Sequence, residues 1–300
     1  MRRILAFSII ALVFLFHTSC EKEVNIKLDN GQSRLVVEGA IETGLPPYVF
    51  LTESIGYFAK IDLATLQNSF VHNALVKVSD GVKTITLKEY SFDTGINGNK
   101  FYFYSVDTSM PPSEWILGEV EKFYTLSIEV NGQTYQSTTK IPNPTQLDSV
   151  ITALPPVIPQ NNPDARQIKV FFKDPDTLGN YMRYFTKRNN EPYYPGLNSV
   201  YPDEIINGTQ FETTLDAGEN RNRSELSFDS LGFFHPGDTV VLKWCAIDKA
   251  VYDFYSTFEF AISTIGSPFA SPIRVRTNIS NNALGVWAGY GSVYTTLVIE

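Results

Sequence analysis

Phe123-Tyr124-Thr125-Leu126-Ser127-Ile128-Glu129-Val130-Asn131-Gly132-Gln133-Thr134-Tyr135-Gln136-Ser137-Thr138-Thr139-Lys140-Ile141 is the stretch that decides the fold. Two runs rich in β-branched and aromatic residues flank Asn131-Gly132, and a type I′ turn needs the positive φ at both central positions that Asn and Gly tolerate. The resulting register sets Ile128 opposite Tyr135 on one face. Ile141-Pro142-Asn143-Pro144 ends the hairpin, because proline has no N–H to give to a ladder.

Outward from this hairpin the first half keeps the same character. Residues 34–41, 48–52 and 101–106 read as strands, and Asp80-Gly81 turns the chain between runs 74–79 and 82–88. Asp62 caps a short helix in 62–73, where Leu63, Leu66 and Phe70 recur at i, i+3 and i+7. About six short strands at this spacing predict an immunoglobulin-like β-sandwich over residues 34–142. A second, β-rich domain is predicted over 145–300, with strands at 148–154, 167–173, 181–188, 211–215, 225–228, 239–247, 273–279 and 293–299. It carries one amphipathic helix over 248–265, capped by Asp248 and ended by Gly266. Val251, Tyr255, Phe258, Ile262 and Ile265 form its apolar stripe, with Glu259 on the neighbouring polar face. The predicted fold class is therefore mainly β.

Composition narrows the function. Aromatic residues make up 13% of the chain against 19% charged, and the net charge is −8 with a pI near 5.0. Such a chain lacks the basic footprint that nucleic acid requires. Before Cys20 stands an export leader: Arg2 and Arg3, then a 13-residue apolar run from Ile4 to Phe16 broken only by Ser8. As a helix that run spans roughly 20 Å, too short for a bilayer core of roughly 30 Å, so residues 1–19 read as a signal peptide. Cys20 after small residues resembles a bacterial lipobox, whose cysteine sulfur takes the lipid, and polar residues 20–33 read as a tether. Lipid rather than charge then holds the protein to a membrane. Cys245, the second of two cysteines, has no partner left and reads as a small buried hydrophobe in an apolar strand.

Catalytic motifs are hard to find. His72 and His235 lie far apart, neither in HExxH spacing, and no GxSxG is present. No cofactor is expected. The weak cation candidates are Asp174, Asp176 and Asn180 in Asp174-Pro175-Asp176-Thr177-Leu178-Gly179-Asn180, whose simpler reading is a β-turn bonded to its own backbone. Glu191-Pro192-Tyr193-Tyr194-Pro195-Gly196 offers aromatics either for recognition or to cover a sheet edge, and Gly232-Phe233-Phe234-His235 reads as folded inward.

Leu35-Val36-Val37-Glu38-Gly39, Tyr124 to Ile128 with Gly132 and Tyr135, and Ile141-Pro142-Asn143-Pro144 recur in one order with Phe172-Lys173-Asp174-Pro175. Gly237-Asp238, Pro268-Phe269-Ala270-Ser271-Pro272, Thr277-Asn278-Ile279 and Leu284-Gly285-Val286-Trp287 complete the series. Together they resemble the Bacteroidota lipoproteins catalogued as domain of unknown function 4249. The resemblance implies an outer-membrane lipoprotein, lipid-anchored on the periplasmic or cell-surface face, with an immunoglobulin-like first domain. It also implies a non-enzymatic accessory that accompanies a TonB-dependent transporter and binds a ligand of unspecified chemistry. Glu21-Lys22-Glu23 further resembles the surface-export signal of some such lipoproteins. A structural or adhesive surface protein is the rival reading, and a hydrolase without a recognisable motif the third.

If Cys20 carries the lipid, Cys20→Ser should move the protein from the membrane to the soluble fraction and abolish fatty-acid labelling. Labelling that survives the substitution would remove the anchor.

Overall fold

The computed structural model describes residues 33–56, 62–93, 100–204, 207–220, 231–267, 269–271 and 273–300. Cys20 and its tether, and the strand expected at 225–228, lie outside these residues. At the deciding hairpin, Asn131 and Gly132 have φ of 51° and 72°, and Ile128 pairs with Tyr135. The chain runs through β1 (Leu35–Glu42), β2 (Tyr48–Glu53), α1 (Leu63–Asn68), β3 (Leu75–Ser79), β4 (Thr84–Thr86), β5 (Lys88–Asp93) and β6 (Lys100–Ser105). There follow β7 (Phe123–Val130), β8 (Gln133–Lys140), β9 (Leu147–Ala153), β10 (Gln167–Lys173), β11 (Tyr181–Arg188), β12 (Tyr194–Pro202) and β13 (Gln210–Leu215). The described chain ends with β14 (Thr239–Ile247), α2 (Lys249–Ser263) and β15 (Leu284–Val298). The protein is mainly β and sandwich-like, with one long helix, as the sequence predicts.

Among the described residues the strands form three sheets. An eight-stranded sheet runs β12-β11-β14-β15-β1-β2-β6-β5, and two small ones run β4-β3-β7-β8 and β13-β10-β9. Strand alternation explains how they stack. Tyr124, Leu126 and Ile128 of β7 share a core with Val37 and Ile41 of β1 and Val49 and Leu51 of β2. Ile168, Val170 and Phe172 of β10 share another with Met182 and Tyr184 of β11 and Leu242 and Trp244 of β14. Along β15, Trp287 enters the first core while Val293 and Leu297 reach the second, and all three occupy odd positions. Both small sheets therefore cover one face of the large sheet, leaving α2 and a third core (Ala40, Ile247, Val251, Phe254, Val286, Ala288) on the other.

The expected boundary between 142 and 145 does not separate independent sheets. The chain does pass there from β8 to β9, but β15 returns to the first sandwich. Its first half pairs in parallel with β1, from Val36↔Leu284 to Glu42↔Tyr290, and its second half pairs antiparallel with β14. Trp287 is fully buried in the first core and its Nε1 donates to Tyr124 O at 2.9 Å. Residues 34–142 therefore lack a strand and a core side chain that arrive from the far end of the chain. The sequence predicts this strand only from 293, because Gly285, Gly289 and Gly291 weaken the local β signal. Conversely, 273–279 forms no ladder, although Asn278 bonds Trp287 N and O through its side chain.

Gly289 and Gly291 have a steric purpose. A Cβ on Gly289 would lie 2.3 Å from Lys140 O, and one on Gly291 would lie 2.0 Å from Pro142 O, so the 140–142 backbone crosses β15 in contact with it. Asp248 fastens the same junction. Its Oδ1 accepts from Val251 N at 2.9 Å as the cap of α2, while Oδ2 accepts from Thr139 Oγ1 at 2.6 Å and Lys140 N at 3.0 Å.

The helix itself differs from its predicted stripe. Val251, Phe254 and Glu259 are its buried residues, whereas Phe258 and Ile262 remain 36% exposed and Ile265, past its end, 79%. Only its first turns rest on the third core; farther on it overhangs β12. Cys245 is fully buried as expected, and desolvation pushes its thiol pKa up to about 11, against the lowering by Lys243 and Ser292.

Because backbone faces backbone at the crossing, Gly289→Ala should destabilise by about 1–3 kcal/mol, the usual cost of overpacking. A thermal melt unchanged from wild type would show that the crossing has room to give.

Candidate functional site

Charged side chains interrupt otherwise apolar strands on the helix-bearing face of the large sheet: Glu38 and Glu42 in β1, Arg183 in β11 and Lys243 in β14. With Tyr290 of β15 and Tyr48 of β2 they come from neighbouring strands and line or border one cleft of about 470 Å³. Tyr255 and Phe258 of α2 form one wall, and Tyr193, Tyr194 and Pro195 form another. The tyrosine-proline segment seen in the sequence therefore borders the cleft; its Tyr194 and Pro195 open the edge strand β12, and Tyr193 is 39% exposed there. Phe234 is fully buried, as its inward reading anticipates.

The floor is held by a polar network. Arg183, 5% exposed, donates from Nε to Ser199 Oγ at 3.1 Å and from Nη1 to Tyr290 OH at 2.8 Å, and its guanidinium lies 3.2 Å from the Tyr255 ring centroid. Burial opposes its charge, but Tyr255, Tyr290 and Glu259 more than offset this and hold the group protonated. Glu259, also buried, accepts from Ser199 N at 2.8 Å and Ser199 Oγ at 2.6 Å. Ser199 thus relays between a buried cation and a buried carboxylate, which removes the cost of leaving either charge unpaired. Beside them Lys243 makes a short ion pair with Glu42, to which Tyr294 also donates.

Glu38 differs from these. No hydrogen bond or ion pair to its side chain is formed by the described residues, and it is solvent-accessible yet recessed in the concavity. Desolvation raises its carboxyl pKa, against the lowering by Arg183. Glu38 also borders a second cavity of about 320 Å³ lined by Phe50, Phe70, Phe92 and Phe101. From there aromatic rings continue over β2, β6 and β5: Tyr48 to Phe50, Phe50 to Phe103 and Phe92 to Phe101 lie 5.9, 5.9 and 5.7 Å apart. Tyr48, Phe92 and Phe101 are exposed. The cleft and the aromatic face form one surface, apolar at one end and charged at the other. A further cavity lies between α2 and residues 274–277, where Arg276 pairs with Asp253 at 3.0 Å.

The residues singled out from sequence are scattered. His72 bonds Glu89 at 2.5 Å, and His235 bonds Asn162 at 3.0 Å. Asp174 is buried and Asp176 exposed, while Asn180 turns its amide nitrogen toward Asp203 and Thr177 O, so these three do not present oxygens to one point. Among the described residues no three His, Cys, Asp or Glu side chains assemble as a metal-ligand set. Sequence reasoning missed Glu38, Arg183, Lys243 and Glu259. For Glu38, Arg183 and Lys243 the signal available was a charge inside an apolar strand, which has to face either a cleft or a buried partner.

The family model described as domain of unknown function (DUF4249) matches residues 21–296. No curated protein matches the chain.

The network inverts the expectation for α2. Glu259→Ala should destabilise by roughly 3–5 kcal/mol, since it strands a buried cation and two Ser199 donors. Phe258→Ala should cost less than about 2 kcal/mol, because a fully buried aromatic contributes only somewhat more. Chemical denaturation of both variants checks the order; a larger loss for Phe258→Ala would return that side chain to the core.

Proposed function

The chain belongs to the family described as domain of unknown function DUF4249, and from that premise we propose an outer-membrane lipoprotein, held by lipid on Cys20, that binds rather than catalyses. Its partner is a TonB-dependent transporter, and the aromatic sheet face with its adjoining cleft is the surface that engages it. One observation carries this reading: a contiguous row of exposed Tyr48, Phe92 and Phe101 ends at the charged, aromatic-walled cleft around Glu38. Large exposed apolar patches mark interaction sites on soluble domains. Aromatic residues at the centre with charges at the side match the composition of protein interfaces. The rigid β-scaffold beneath adds to this, because a preordered surface loses little entropy on docking.

Extraction in mild detergent followed by affinity purification tests the proposal. The wild-type chain should bring down a TonB-dependent transporter, and Phe92→Ala with Phe101→Ala should reduce its recovery at least about tenfold, the effect of losing one strong anchor. Membrane attachment through Cys20 should not change. Equal recovery with the double variant would take this face out of the interaction, and recovery of matrix or surface components alone would favour the adhesive reading.

A further inference from the structure

Asp174 and Asp203 are both fully buried, yet each keeps one carboxylate oxygen, Oδ1, with no hydrogen-bond donor. The side-chain oxygen of Asn207 shares that condition. All three belong to two loops pinned against each other. Asp174, just past β10, donates its N–H to Thr209 O at 3.0 Å, and Asn207 N–H donates to Asp203 O at 3.0 Å. Gly208 N–H reaches Pro175 O at 3.2 Å and Asp174 Oδ2 at 3.4 Å. Asp203 spends its other oxygen, Oδ2, on the N–H groups of Gly179 and Asn180 at 2.8 and 2.9 Å.

An ionised carboxylate only accepts, so a buried oxygen without a donor costs free energy that native proteins rarely leave unmet. Two such carboxylates close together also repel each other. Desolvation pushes the Asp174 carboxyl up, Asp203 and Asp176 push it further, and only Gly208 N–H opposes them. No Lys, Arg or His among the described residues forms an ion pair with either aspartate. What the site lacks is positive charge.

We propose that Asp174, Asp203 and Asn207 are ligands of a Ca²⁺ ion that ties the loop after β10 to the loop after β12. The donor set is all oxygen, two carboxylates and one amide, which suits a hard cation and not zinc. Calcium tolerates irregular coordination and fills its remaining positions with carbonyls and water, whereas Mg²⁺ demands near-ideal octahedral geometry. The ion would join the two layers of the second sandwich, because β10 lies in the three-stranded sheet and β12 edges the eight-stranded one. Asp203 also holds the turn at Gly179 and Asn180, so the β10–β11 loop is secured at both ends. The site is assembled from separate loops, which is why the contiguous set Asp174, Asp176 and Asn180 captures only its first member.

The test uses the full chain in detergent, stripped with a calcium chelator. Ca²⁺ at about 100 times its Kd should raise Tm by about 5 °C, and the chelator should reverse the rise. Asp174→Asn should abolish the response, and Mg²⁺ at the same concentration should give a smaller one. Should Asp174→Asn fail to fold, Asn207→Ala removes a single neutral oxygen and should weaken Ca²⁺ binding severalfold by calorimetry. Identical melts of the stripped and calcium-loaded wild type would overturn the proposal, as expected if the carboxylates share a proton instead. So would a wild-type response in Asp174→Asn, unchanged affinity in Asn207→Ala, or an equal response to Mg²⁺.

Discussion

Backbone contact where residues 140–142 cross β15 governs the arrangement of everything else. The first sandwich hands the chain to the second there, and the strand being crossed belongs to both. Gly289 and Gly291 remove the side chains that would hold the two segments apart. Gly289 N–H then donates to Thr139 Oγ1 at 2.9 Å, so the contact is bonded as well as close. On one side of the crossing Trp287 fills the first core, and on the other Val293 and Leu297 pack against the second. Rigid coupling follows, since neither core closes without a part of the same strand.

The crossing also positions the cleft. Asp248 caps α2 with one oxygen and holds Thr139 and Lys140 with the other, so the helix is aligned to the junction between the sandwiches. From that start α2 runs over the sheet until Glu259 meets Ser199. The Arg183–Ser199–Glu259 relay then joins β11, β12 and the helix beneath the cleft. Buried polar groups of this kind contribute little net stability when replaced as a set, but each member is costly to remove alone. Their effect here is to hold Tyr255 and Phe258 in place beside Glu38.

Local chemistry is where the sequence was most legible. Asn131-Gly132 takes the positive φ its turn requires, and Asp62 and Asp248 each accept from a backbone N–H three residues on, so the turn and both helix caps appear where predicted. Alternating apolar residues likewise placed most strands. Glu259 was misread because helical periodicity assigns a charge to the solvent side unless something buried can receive it, and Ser199 and Arg183 are 60 and 76 positions away.

By itself the sequence determined a mainly β chain, its turns and caps, a buried Cys245, and a net acidic charge. These follow from short-range sterics, hydrogen bonding and net charge, which need no knowledge of distant neighbours. Tertiary structure alone decided that β15 completes the first sandwich, that Glu38, Arg183 and Lys243 meet in one cleft, and that the loops carrying Asp174 and Asp203 are bonded to each other. Each is a contact between segments far apart in the chain. Such pairings are selected by the shape of whole cores and by the closure of the sheet, so no local pattern of residues encodes them.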